Sequence, residues 1–164
     1  MMRQMELFNG DILGNISSCK ERKREVALKR IFRQAGNQEK ALTILSVHGS
    51  IAFNTRLTDS APEFATVTRL LKGVKDFRSK PRFDLVFYSV PESVDDKTTG
   101  LLENLCYSRM LLRPGAFLFL VTEGNRLQGV EVSWLRQAGF MKITTHKKKN
   151  GLVYFGGQRP LQNF

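Results

Sequence analysis

Apolar residues recur along this chain in two rhythms, as short β-branched or aromatic runs and as stripes at helical spacing. Leu28, Ile31, Phe32 and Ala35 fall at i, i+3, i+4 and i+7, behind a capping box at Ser18-Cys19-Lys20-Glu21 and ahead of Gly36-Asn37, and predict a helix. Ala41 to Val47 (ALTILSV) reads as a buried parallel strand. Ser60-Ala61-Pro62-Glu63 repeats the capping-box logic, so Phe64, Val67, Leu71 and Val74 predict a second helix. Lys75 to Arg82 is a polar connection ended at Pro81-Arg82. Residues 1–16 leave a short strand and an irregular lead-in equally open.

The second half is more sharply punctuated. Phe83 to Val90 predicts a strand stopped by Pro91, followed by a helix from about Asp95 to Met110 with Leu101, Leu102, Leu105 and Cys106 inward. Arg113-Pro114-Gly115 should break that helix and hand over to a buried strand, Ala116 to Thr122. Val130 to Ala138 predicts a short helix around Trp134 and Leu135, with Gly139 placed for a left-handed helix end. Met141 to His146 and Leu152 to Gly156 then form a hairpin, for which Asn150-Gly151 supplies the turn. The alternation implies an α/β domain over residues 1–164, three-layered, with a mostly parallel sheet and a C-terminal antiparallel hairpin.

Charge changes the picture of the surface. Lys and Arg number 26 against 15 Asp and Glu, a net +11. The basic residues cluster at Lys20 to Arg33, Lys72 to Arg82 and Lys147 to Lys149, without the interleaved aromatics of a base-stacking platform. Polyanions are drawn to such a surface, so nucleic acid stays among the partners considered. Two cysteines, Cys19 and Cys106, lack any metal-ligand spacing, and His48 and His146 are isolated, so no metal site is expected. No apolar run approaches a membrane span, and the N-terminus lacks a secretory core, which implies a cytoplasmic chain and no membrane partner.

Three stretches in register carry a family resemblance. Phe83-Asp84-Leu85-Val86, Leu111-Leu112-Arg113-Pro114-Gly115-Ala116-Phe117-Leu118 and Trp134-Leu135-Arg136-Gln137-Ala138-Gly139-Phe140 resemble the entries to the fourth, fifth and sixth strands of class I S-adenosylmethionine-dependent methyltransferases. That resemblance implies a glycine-rich cofactor loop after the first strand and an acid ending the second. The front half departs from both, and the span from Ala41 to Phe83 is short for three strands with their helices. The loop candidates are His48-Gly49-Ser50, with one glycine, and Gly10 to Gly14; Asp59 is better placed at a helix start. Tyr88-Ser89-Val90-Pro91 occupies the place where some members carry a catalytic Asn-Pro-Pro-Tyr. His48, Gly49, Ser50, Tyr88 and Ser89 are therefore the cofactor-binding candidates if the chain is an enzyme, and none is an obvious catalytic base.

A methyltransferase-like sheet with a degenerate front half resembles the N-terminal domain of the anamorsin family of cytosolic iron–sulfur assembly factors. Arg113 to Leu120 and the closing Gly156-Gly157-Gln158-Arg159-Pro160 are similar to that domain's own strand and exit. This resemblance implies a non-catalytic interaction domain, N-terminal in a longer protein, without a cofactor in this chain and with a diflavin reductase as partner. The alternatives are an S-adenosylmethionine-dependent methyltransferase acting on RNA or another acidic substrate, and a basic RNA-binding module.

Overall fold

Strands that are apolar on both sides lie at the centre of the sheet, and the half-polar ones lie at its edges. The computed structural model describes residues 27–34, 41–70, 74–77, 83–90, 99–123, 130–146 and 151–161. In chain order these hold α1 (residues 27–34), β1 (Leu42–Val47), α2 (Ile51–Ser60), β2 (Ala65–Leu70), a single 3-10 turn (Val74–Asp76), β3 (Phe83–Ser89), α3 (Thr99–Leu111), β4 (Leu112–Glu123), α4 (Val130–Gln137), β5 (Met141–His146) and β6 (Leu152–Gln158). The six strands form one sheet in the order β2-β1-β3-β4-β6-β5. The first four are parallel, and β6 runs antiparallel to both β4 and β5.

Side chains alternate between two cores. Leu45, Val47, Val86 and Tyr88 meet α3 and α4 on one face, through Leu101, Leu105, Trp134 and Leu135. Ile44, Leu85, Phe87 and Phe119 meet α1 and α2 on the other, through Leu28, Ile31, Phe53 and Leu57. The result is the three-layer α/β arrangement with an antiparallel C-terminal pair. Phe87 is its aromatic hub, with ring centroids of Phe32, Phe53, Phe119 and Tyr154 at 6.2, 5.9, 5.9 and 6.3 Å.

The motifs of the second half have physical work to do. Asp84 accepts from both the amide and the hydroxyl of Thr43, each at 2.8 Å, and from Arg113 Nη1 at 2.9 Å, so it joins the starts of β1, β3 and β4. Gly139 adopts φ 91 and closes α4 as a Schellman turn, with Phe140 N donating to Leu135 O and Gly139 N to Arg136 O, each at 3.0 Å. Gly156 and Gly157 let Phe119 and Phe140 lie flush on the sheet; an added Cβ would come within 2.5 Å of the Phe119 ring and 2.7 Å of Phe140 Cβ, respectively.

Two expectations are corrected. The expected helix from Ser60 onward does not form over residues 61–70: Pro62 begins a turn in which Ala65 N donates to Pro62 O at 2.9 Å, and Ala65–Leu70 is a strand. The helix lies one step earlier, capped by Ser50, whose side chain accepts from Phe53 N, so Asp59 stands at a helix end, not a start. Arg113-Pro114-Gly115 does not precede its strand but lies within β4, as an irregularity that Arg159 and Gln158 clamp from β6 through Gly115 and Ala116. Residues 91–98 and the Asn150 half of the hairpin turn lie outside the described residues, as does the Ser18-Cys19-Lys20-Glu21 capping box. Among the described residues the sheet has two strands ahead of β3, where the methyltransferase pattern has three.

Candidate functional site at the end of the first and third strands

The chain leaves β1 for β2 on one side and returns to β3 on the other, so the strand order reverses between β1 and β3. In doubly wound sheets the crevice outside the carboxyl ends at such a reversal is where ligands bind. Val47 and Tyr88 are register partners there. The structure thus brings His48-Gly49-Ser50 and Tyr88-Ser89 to the same end of neighbouring strands.

Each of the five residues then goes its own way. His48 adopts φ 57, a left-handed conformation that costs a non-glycine residue about 1 kcal/mol or more. Its amide donates to Leu70 O at 3.0 Å, which ties the loop to β2. Its ring stands edge-on to Tyr88, with centroids 5.7 Å apart. Tyr88 is 2% exposed and its hydroxyl accepts from Asn104 Nδ2 of α3 at 3.1 Å. Burial raises the Tyr88 phenol, with the Asn104 bond opposing, and burial lowers the His48 imidazole. Both groups are neutral near pH 7, so neither offers a charge to a ligand at this sheet end.

Gly49 is a structural glycine. A Cβ there would come within 2.4 Å of Asn54 Oδ1 and 2.7 Å of Ser46 Oγ. Ser46 Oγ donates to Asn54 Oδ1 at 2.6 Å and Asn54 Nδ2 donates to Gly49 O at 3.2 Å, so α2 is bonded back to β1 and to the loop between them. Ser50 caps α2 with its side chain at 3.1 Å from Phe53 N. Ser89 falls on the opposite face from Tyr88 by strand alternation, and its buried Oγ has no partner among the described residues.

Sequence reasoning missed Ser46, Asn54 and Asn104. A serine inside the apolar run ALTILSV was the available signal for the first, since a polar side chain on a central strand needs a buried partner. Farther along the same sheet end, Thr122 Oγ1 and Glu131 Oε2 are buried without partners among the described residues. β2 carries no carboxylate. No group of three or more potential metal ligands occurs among the described residues, and no helix there is long and apolar enough to cross a membrane.

No family model matches the sequence, and no curated protein matches it either. Similarity appears in three dimensions. An O-methyltransferase family protein from Burkholderia thailandensis superposes with a TM-score of 0.63 at 12% identity, over 87% of this chain and 57% of that one. An S-adenosylmethionine-dependent O-methyltransferase from Thermotoga maritima gives 0.60 at 10% identity, over 87% of this chain and 66% of that one. The N-methyltransferase NodS from Bradyrhizobium japonicum gives 0.58 at 14% identity, over 85% of this chain and 96% of that one. The chain therefore has the fold of the S-adenosylmethionine-dependent methyltransferases, and at these identities it is the fold that is shared.

Proposed function

We propose that this chain is a non-catalytic methyltransferase-like domain that serves as a protein-docking module, in the manner of the anamorsin-type N-terminal domain. The observation that carries the reading is the closure of the first loop upon its own helix. The space that Gly49 leaves open is taken by Asn54, and the Ser46–Asn54–Gly49 bonds use the polar groups that a cofactor would otherwise meet. β2 supplies no carboxylate for ribose hydroxyls, and the His48 imidazole and the buried Tyr88 phenol are neutral. In this reading the domain works in the cytoplasm and offers its basic surface to an acidic partner face, for which a diflavin reductase is the candidate. A net +11 would raise the rate of that encounter and make it salt-sensitive.

The second reading is a methyltransferase acting on RNA or another acidic substrate. It is favoured by His48, a non-glycine residue held in a strained conformation against Tyr88 at the strand reversal. Calorimetric titration with S-adenosylmethionine and S-adenosylhomocysteine separates the two. The docking reading expects no saturable heat at ligand concentrations below about a millimolar. A micromolar site, weakened by Tyr88→Ala, would transfer the case to the enzyme.

A further inference from the structure

The sheet has two edges, and they are built differently. β5 is guarded: its register against β6 slips between Met141 and Thr144, and Lys142 stands exposed at φ 48. An irregularity and an outward lysine are devices that keep an edge from pairing with another chain. β2 has neither. It keeps unbroken register with β1 from Ala65 to Leu70, contains no lysine or proline, and has no strand on its outer side among the described residues. None of its residues is fully buried, and Val67 is only partly covered by the core beneath it.

The hydrogen-bonding phase of β2 follows from one contact. His48 N donates to Leu70 O at 3.0 Å, so Leu70, and by alternation Thr68 and Thr66, bond to β1. Ala65, Val67 and Arg69 then turn their N–H and C=O groups to the open side. Charge narrows the choice of occupant. Across residues 51–70, Arg56 and Arg69 balance Asp59 and Glu63, on a chain whose total is +11. Ahead of the basic run that begins at Lys72, Glu63 and Arg69 lie at opposite ends of this edge, so two copies paired antiparallel bring each Glu63 towards the other's Arg69.

We propose that β2 pairs antiparallel with β2 of a second copy across a two-fold axis at Val67, which joins two sheets into one. Val67 faces the partner's Val67 as a hydrogen-bonded pair, since both present outward bonding groups. Ala65 meets the partner's Arg69, and Thr66 meets the partner's Thr68. Glu63 lies diagonal to the partner's Arg69, which keeps donors to spare beyond the single bond that Arg69 Nη2 makes to Thr58 Oγ1 at 3.1 Å. Because β5 is guarded, pairing uses the edge left open among the described residues and closes at two copies. The inference is independent of whether the crevice takes a cofactor.

Sedimentation equilibrium on the whole chain tests it, with substitutions of opposite sign at one position. The unaltered chain should reach twice the monomer mass as concentration rises. Ala65→Lys sets two like-charge pairs against the partner's Arg69 and should weaken the dimer about tenfold or more, while Ala65→Glu should tighten it about threefold. Val67→Lys should yield a monomer, with far-ultraviolet circular dichroism and melting temperature checked against the parent. Thr144→Lys, on the guarded edge, should leave the dimer constant unchanged. A monomer at every concentration, assemblies larger than two, or a dimer that shifts equally with Ala65→Lys and Ala65→Glu would each overturn the proposal.

Discussion

Glu131 shows how a single misplaced charge shapes stability. It is 3% exposed, in the first turn of α4, and one carboxylate oxygen has no partner among the described residues. Burial raises its carboxyl above the ordinary value near 4.5. A raised carboxyl is held more tightly by the folded protein, so its penalty is present at neutral pH and fades as pH falls towards that ordinary value. His48 and His146 act in the opposite sense. Burial lowers both below about 6.5, with Arg30 adding to the effect at His146, so stability is lost as pH drops through that value. Replacing Glu131 with Met should therefore stabilise the protein by about 1 kcal/mol at pH 7.5, as expected when a buried unpaired polar oxygen is removed. Urea unfolding at pH 7.5 and pH 4 checks this; the gain should shrink at the lower pH, and an equal gain at both would assign it to packing alone. None of this was visible in the sequence, where nothing marks the Glu131 side chain as buried.

At the scale of elements, the clearest interlock is the one between the end of α3 and the end of β6. Arg159 Nη1 donates to the carbonyls of Arg109, Met110 and Leu112, and its backbone pairs with Gly115 and Ala116. A cation at a helix C-terminus satisfies carbonyls that the helix cannot. Arg159→Met keeps most of the stem and should cost about 1–2 kcal/mol in a denaturant titration, while Arg159→Lys should recover part of the loss. An Arg159→Met protein as stable as the parent would remove the cap from the account. The strands around this interlock were legible because Phe83–Ser89 and the core of β4 are apolar on both faces, and because Gly139 and Gly151 mark their turns. Residues 51–70 were not. Helix α2 has few buried apolar positions, chiefly Phe53 and Leu57, and exposes Ile51 at 87%, so its periodicity is faint. Thr66, Val67 and Thr68 favour a strand by their branching, yet Phe64, Val67 and Leu71 happen to fall at helical spacing. Pairing with β1 decided between the two. At the site, the sequence located the loop and the Tyr88 turn, but could not reveal that Asn54 fills the place beside Gly49, because that contact depends on the pitch of α2.

For the molecule as a whole, the basic excess and the neutral β2 edge divide the surface into a part suited to polyanions or acidic proteins and a part suited to self-pairing. The same sheet order also constrains time. β6 lies between β4 and β5, so β5 is joined to the rest of the sheet only through β6. Docking of β6 on β4 closes a loop from Glu123 to Leu152 and brings together residues as far apart as Phe117 and Gln158, a non-local step of the kind that slows folding. The low sequence separation within the β5–β6 hairpin and the long loop between β4 and β6 lead us to expect the hairpin to join the sheet late. Shortening a side chain on β5 should then act late: Ile143→Ala, which thins the contact of β5 with the α3–α4 core, should speed unfolding and leave the refolding rate nearly unchanged. Stopped-flow refolding and unfolding of this variant measures the order of assembly directly, and a slowed refolding limb would place β5 in the nucleus. During synthesis β4 emerges before β6, so the nascent sheet would present the side of β4 as an open edge until β6 covers it.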